Sequence, residues 1–390
     1  MRLVKRAYKY RLYPTNSQRL VLGQTFGCAR FVYNWGLEQR KEAYETTGKG
    51  LSNTETSKRL TFLKRESGKE WLRDVSSIPL QQALRNLDRA YTNFFKGLSR
   101  YPKFKRKHSR QSVRYTRNGF SVRGMSLSVA RIGAIKVQWS RMFSGTPSSI
   151  TISRNPDGKY FVSILVEEGI EALPFKGKAT GIDLGLKDIA VTSDGLKTGN
   201  PRYTERFKRK LRMEQKSLSR KQKGSKNRDK QRIKVAKVHA KISNARRDYL
   251  HKLSTQIVRD SQSVYVEDLN VSGMIRNRKL SKAIADSSWA MLVNMLEYKC
   301  DWYGKKFERQ NPKHTSQDCS ECGFRNTVLE LKDRRWECPE CETTHDRDIN
   351  AAKNVLKKAV GTTVTACGDS VRPTSVDSEA TVCEARISSL

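Results

Sequence analysis

Three acidic residues on separated apolar stretches carry the chemistry this sequence offers. Asp183 lies in residues 180–195, TGIDLGLKDIAVTSDG, which read as a strand, a tight turn and a returning strand beginning at Ile189, Ala190 and Val191. A carboxylate inside a strand whose neighbours want burial is costly unless something binds it, and a hydrated divalent cation is the usual partner. The same residues also suit a plain hairpin with an edge carboxylate. Two later segments bear on the choice. Glu267 ends the apolar strand Val264-Tyr265-Val266, and Asp348 opens an amphipathic helix carrying Ala351, Ala352, Val355 and Leu356. Three acids on three elements are the ligand set of a pair of cations roughly 3.5–4 Å apart, an arrangement that activates water and stabilises the leaving oxygen of a phosphodiester.

A second constellation is sulfur. Of eight cysteines, Cys319, Cys322, Cys338 and Cys341 follow the spacing C-x2-C-x15-C-x2-C. That spacing is a zinc ribbon, and four thiolates complete a tetrahedral structural site, which leaves His345 outside it. Cys28, Cys300, Cys367 and Cys383 have no neighbour at ligand spacing and read as buried or tail residues.

The motifs Gly181-Ile182-Asp183-Leu184-Gly185, Val266-Glu267-Asp268-Leu269 and Asp346-Arg347-Asp348-x-Asn350-Ala351-Ala352, in this order around the four cysteines, resemble the RuvC-type nuclease of the TnpB family. These are transposon-encoded, RNA-guided DNA nucleases similar to the ancestors of type V CRISPR effectors. The resemblance runs from Met1 to about Lys358. It implies hydrolysis of double-stranded DNA beside a short flanking motif, with 3′-hydroxyl and 5′-phosphate ends and a guide RNA from the transposon end. Two Mg2+ ions would serve catalysis and one Zn2+ the ribbon, with Asp183 bridging both Mg2+ ions and Glu267 and Asp348 each completing one. Asp346 competes for the third place, and the register of Asn350-Ala351-Ala352 in the family motif favours Asp348. Two other readings suit the same surface: a guide-directed DNA-binding regulator without nuclease activity, and a zinc-ribbon RNA-binding protein.

Composition points to the partner. Lys and Arg number 77 against 39 Asp and Glu in 390 residues, a formal charge of +38. That excess is self-repelling, so a polyanion is expected beside it, and nucleic acid is the natural one. No apolar run approaches the ~20 residues that span a bilayer, and the first residues lack the apolar core of a signal peptide. The expected setting is the prokaryotic cytoplasm, nucleoid-associated when bound to DNA, as a monomer in its ribonucleoprotein.

The elements that must position these groups suggest an α/β multidomain chain. Residues 1–13 and 100–172 read as a β-barrel-like wedge domain, interrupted at 14–99 by a helical recognition lobe. Residues 173–312 and 345–360 read as an RNase H-like RuvC domain, interrupted at 313–344 by the zinc ribbon. A disordered tail is expected over 361–390. Within the lobe, Leu80, Leu84, Leu87, Tyr91 and Phe94 recur at helical spacing behind Pro79. The other side of that helix carries Ser77, Gln81, Gln82, Arg85 and Arg89. In the family such a lobe reads the flanking motif, and Gln81 is the residue whose amide suits an adenine edge. Residues 100–117 hold eight basic residues and no acid, with aromatics between them. This pattern suits stacking on bases while cations hold phosphates, and Lys103, Lys105, Arg106, Arg114, Tyr115 and Thr116 are the candidates. Residues 201–247 hold nineteen basic residues and three acids, split at Lys223-Gly224-Ser225. They read as two long antiparallel helices along a guide–target duplex, with Arg220 and Lys221 as phosphate contacts.

Overall fold

The computed structural model describes residues 2–107, 110–330 and 332–366. The first half is built on a seven-stranded antiparallel sheet. Its strands are β1 (Arg2–Tyr13), β2 (Gln111–Thr116), β3 (Phe120–Arg123), β4 (Ser126–Val129), β5 (Gly133–Gln138), β6 (Thr146–Arg154) and β7 (Tyr160–Ile170), in the order β2-β6-β7-β1-β5-β4-β3. The edge strands β2 and β3 are joined only by the turn Arg117–Gly119, so the sheet coils back towards itself. The β6–β7 loop is the turn Asn155-Pro156-Asp157-Gly158, with Gly158 at φ 81°.

Three helices, α1 (Asn16–Thr47), α2 (Asn53–Leu63) and α3 (Ser77–Phe95), interrupt this sheet between β1 and β2. Lobe and sheet share one apolar core. Tyr8, Tyr10 and Leu12 of β1 belong to the same cluster as Leu22 and Val32 of α1 and Leu80, Leu84 and Leu87 of α3. The hydroxyl of Ser76 caps α3 through the Ile78 N–H.

The second half is a mixed four-stranded sheet made of β8 (Ala179–Asp183), β9 (Val191–Thr192), β10 (Ser263–Glu267) and β11 (Lys306–Gln310), ordered β11-β10-β8-β9. Strands β8, β10 and β11 are parallel and β9 is antiparallel. The period of two along β8 and β10 sends alternate residues to opposite faces. Ile182, Val264 and Val266 pack with α6 (Lys226–Asp260) and α9 (Trp289–Trp302) through Leu250, Leu253, Leu292 and Leu296. Tyr265 turns the other way, against Val355 and Ala359 of the last helix, α10 (Arg347–Ala366). That helix lies so close to β8 that a Cβ on Gly181 would stand 2.2 Å from the Ala352 carbonyl oxygen. Only glycine permits the contact, and Asp183, two residues on, faces the same side.

The basic segment after β9 departs from the sequence reading. It forms a single turn, α4 (Tyr203–Arg206), and a short α5 (Lys208–Ser219), which packs on the 35-residue α6. Only α6 is long, because it continues into β10 and buries Leu250, Leu253 and Ile257 against the sheet. Two short helices, α7 (Val271–Met274) and α8 (Ser281–Ser287), separate β10 from α9. Cys319 and Cys322 sit between β11 and a small hairpin of β12 (Arg335–Glu337) and β13 (Thr344–Asp346), Cys338 and Cys341 lie in the loop of that hairpin, and β13 feeds directly into α10. Of the tail expected over 361–390, residues 361–366 instead continue α10. The remainder of that tail lies outside the described residues.

Candidate active site

Parallel pairing sets the first two acids side by side. Val266 of β10 pairs with Ile182 of β8, so the next residues along, Glu267 and Asp183, occupy neighbouring strand ends. Glu267 is 6% exposed and Asp183 partly buried. Burial, the adjacent charges of Glu267 and Asp348 and a contact with the Glu267 carboxyl push Asp183 well above the usual carboxylate range. Burial also raises Glu267, while the Thr315 hydroxyl, Asp183, the Leu184 N–H and Lys358 oppose the rise. Two buried carboxyls in contact cannot both ionise cheaply, and a cation between them relieves that cost.

Asp348 completes the trio from the first turn of α10, where the helix dipole favours a carboxylate. Arg334 of the ribbon donates to it at 3.5 Å. Asp346 is occupied otherwise. Lys197 binds it at 2.6 Å and the Ile349 N–H donates to it at 3.3 Å. Burial would raise the Asp346 carboxyl, but these partners hold it below the usual range. Arg347 is buried and donates to the Glu330 and Asp333 carbonyls, with its charge acting on Asp183. Asp188 accepts from the Gly199 N–H at 2.8 Å, and Asp268 is exposed, so neither joins the trio.

Cys319, Cys322, Cys338 and Cys341 place their sulfurs within 4.8 Å of one another. Among the described residues, this is the group of three or more ligand side chains that closes to such distances; the acid trio is more open. The sulfur pairs Cys319–Cys341 and Cys322–Cys338 are 3.6 and 3.5 Å apart. A tetrahedron with ~2.3 Å metal–sulfur bonds has edges of about 3.8 Å, so the four fit one zinc ion. The Thr343 hydroxyl holds the Cys341 thiol down to about 6, while burial and the neighbouring sulfurs push Cys322 up, a crowding of four thiols that a bound metal relieves. His345 Nε2 lies 3.0 Å from the Cys319 sulfur, and its ring packs on Trp336. The ribbon is anchored to α10. Asn350 accepts the Ser320 N–H at 2.8 Å and donates to the Asp318 carbonyl at 2.8 Å.

The expected nucleic-acid residues divide. Ser77, Gln81 and Arg85 are exposed at four-residue spacing, one stripe on α3. Gln82 is buried and leaves that stripe, because its position falls on the core side of the helix. Lys103, Lys105 and Arg106 are exposed. Lys105 lies 3.8 Å over the Tyr33 ring and is tied to Asn34 through its backbone. Arg114 and Thr116 are partly buried, Arg114 donating to Ser149 at 3.0 Å. Lys105, Arg106 and Arg114 line one cleft with Arg30 and Asn86. Tyr115 is a correction. It is 0% exposed and cannot stack on a base. Val113 and Tyr115 alternate inward along β2, a period-two signal hidden by the surrounding basic residues. Arg220 is exposed and Lys221 partly so, at the turn where Arg228 donates to the Leu218 and Lys221 carbonyls. Sequence reasoning missed Thr315, Asn354 and Lys197, which position or occupy the acids.

Among the described residues, no helix is long and apolar enough to cross a membrane. The family OrfB_IS605, described as "Probable transposase", matches residues 162–278, a span that holds Asp183 and Glu267. A "Cas12f1-like, TNB domain" matches 289–355, which holds the four cysteines and Asp348. A helix-turn-helix domain matches 1–49, although here that span is strand β1 followed by the single helix α1. A protein of Streptomyces pristinaespiralis named "Putative RNA-guided DNA endonuclease" is 44% identical over 380 residues, covering 96% of this chain and 93% of its own. InsQ of Escherichia coli (strain K12), named likewise, is 31% identical over 384 residues, covering 94% of each chain. The cryo-EM structure of a Cas12f1–sgRNA–target DNA complex has the same fold, with TM-score 0.61 over 91% of this chain and 99% of that one at 13% identity. Identity of this extent over nearly the whole chain assigns the family: the chain belongs to the TnpB family, OrfB_IS605, of RNA-guided DNA endonucleases.

Proposed function

We propose that this protein is an RNA-guided, Mg2+-dependent DNA endonuclease that cuts double-stranded DNA beside a short flanking motif, with a guide RNA from the transposon end. The observation that carries the reading is the meeting of Asp183 and Glu267 at adjacent ends of parallel strands, with Asp348 brought to them by α10. The sheet and α10 form the RuvC-like nuclease unit, and the coiled seven-stranded sheet with α1–α3 forms the wedge and recognition lobe.

An all-oxygen donor set suits hard divalent cations. Asp183, Glu267 and Asp348 would hold two Mg2+, whose chemistry is to lower the pKa of water and stabilise the leaving oxygen. The protein's own groups do the rest. Asp183 is the central acid, in contact with Glu267 and within the field of Asp348. Arg347 offsets part of the trio's negative charge from beneath, and Arg334 stands at its rim. Target choice rests on base pairing by the guide, while the protein reads the flanking motif and duplex shape. The stripe Ser77–Gln81–Arg85 on α3 and the cleft beside it are the surfaces we assign to the flanking duplex. The exposed α5–α6 turn at Arg220 and Lys221 is assigned to the guide–target backbone.

The test is plasmid cleavage by protein purified with its guide RNA. Wild-type protein is expected to linearise a matched target only with Mg2+ present, and Asp183→Ala to abolish cutting while target binding persists. Guided binding without cutting would instead make the protein a nuclease-inactive regulator. RNA binding without guided DNA binding would make it a zinc-ribbon RNA-binding protein.

A further inference from the structure

What orients Glu267 is a residue outside all three acidic motifs. The Thr315 hydroxyl lies 2.6 Å from Glu267 Oε1. Thr315 is 4% exposed and sits four residues before Cys319, on the segment that leads from β11 into the first zinc knuckle. Its hydroxyl has one proton and two acceptors in reach, Glu267 and the Pro312 carbonyl at 3.1 Å. The shorter contact, to the group that carries charge, takes the proton.

Thr315 is held in turn from α10. Asn354 Nδ2 donates to the Thr315 carbonyl at 2.8 Å and to the Asp318 carbonyl at 2.6 Å. Asn350, one turn earlier on the same helix, bonds Asp318 and the Ser320 N–H as described above. Both amides are buried, and Asp348 stands two residues before Asn350. One turn and a half of α10 therefore carries an acid of the trio and the two amides that hold the knuckle, and the knuckle segment carries the hydroxyl that holds the second acid.

We infer that Thr315 is a positioning residue. It fixes the Glu267 carboxylate in its cation-binding orientation and, through Asn354, couples the zinc knuckle to the acid trio. The inference rests on reading the trio as a divalent-cation site. The physical need is plain. Asp183 and Glu267 repel when both are ionised, and a Glu side chain has free torsions by which to swing away. A charge-assisted hydrogen bond from a buried hydroxyl removes that freedom before the cation arrives. An ordinary buried threonine would instead satisfy itself on Pro312, and valine would replace it with no effect on cation binding.

The experiment uses guide-loaded protein and three variants: Thr315→Val, Thr315→Ser and Asp183→Asn. Mn2+ binding is measured by electron paramagnetic resonance without target DNA, next to the Mg2+ midpoint of cleavage, zinc content and target affinity. Thr315→Val is expected to weaken the Asp183-dependent Mn2+ site about tenfold, the scale of one charged hydrogen bond, and to raise the Mg2+ midpoint similarly. Zinc content and target affinity should hold, and Thr315→Ser should restore both cation readouts. Wild-type Mn2+ affinity in Thr315→Val, or failure of Thr315→Ser to recover it, overturns the inference alone. Absence in wild-type protein of any Mn2+ site that Asp183→Asn removes overturns the cation-site reading and the inference with it.

Discussion

At the scale of single residues, the choice between Asp346 and Asp348 is a matter of which carboxylate is already occupied. Asp346 ends β13, pairs with Lys197 at 2.6 Å and caps the helix it precedes. Asp348 meets Arg334 at the longer distance of 3.5 Å, and its charge acts on Asp183. Asp348→Ala is expected to lower plasmid cleavage by about a hundredfold to a thousandfold, because losing a ligand of the cation site removes charge stabilisation that the transition state needs. Asp346→Ala should cost about 1 kcal/mol of stability as a lost cap and leave cleavage within about tenfold. Cleavage rates and melting curves of the two variants decide it, and a reversed order moves the third ligand to Asp346. The acids were legible because charge at the end of an apolar strand is an anomaly that demands a cause. Thr315 was not, since a threonine suits any strand or loop and its role depends on a neighbour 48 positions away. Tyr115 was misread for the opposite reason, because a basic run drew attention from the alternation that buries it.

At the scale of elements, the legible part was what periodicity and capping decide. The strand ending at Glu267, the Pro79 helix α3 and the helix α10 at Asp348 stand close to where their patterns place them. The basic hairpin was less legible, because charge hides which residues of α6 face the sheet. Its contact with α9 depends on a residue that no pattern reveals. Lys299 is 5% exposed, and its ammonium donates to the His251 carbonyl at 2.8 Å and to the hydroxyls of Ser254 and Thr255, each at 2.7 Å. Burial, with Arg6 nearby, lowers this lysine to about 8. A lysine whose folded value is depressed opposes folding fully below that value, and the penalty is relieved as pH rises towards its unfolded value near 10.5. The wild type should therefore gain on Lys299→Met by about 1–2 kcal/mol between pH 7 and pH 9.5. Urea unfolding of both proteins at the two pH values measures the difference, and an unchanged gap would mean that the ammonium is not desolvated at the α6–α9 contact.

At the scale of the whole molecule, a formal charge of +38 is spread unevenly along the chain. Of the 39 acidic residues, only three belong to residues 201–247, which carry nineteen basic ones. Those cations are spread along α5 and α6, and few of them are buried: this helical pair keeps its charge in solvent, where a nucleic-acid backbone neutralises it. Counterion release makes the consequence quantitative. Each phosphate contact adds about 0.7 to 0.9 to the slope of log affinity against log salt. Replacing Arg220 and Lys221 together by Ala is expected to flatten the slope for target binding by the guide-loaded protein by about 1.4 to 1.8. The affinity loss should be similar for every target sequence, because backbone contacts hold register without reading bases. Filter binding from about 50 to 200 mM KCl, within the range where the salt law applies, supplies both numbers. An unchanged slope would show that the α5–α6 turn faces away from the duplex. A loss confined to some sequences would show that Arg220 or Lys221 reads base edges instead.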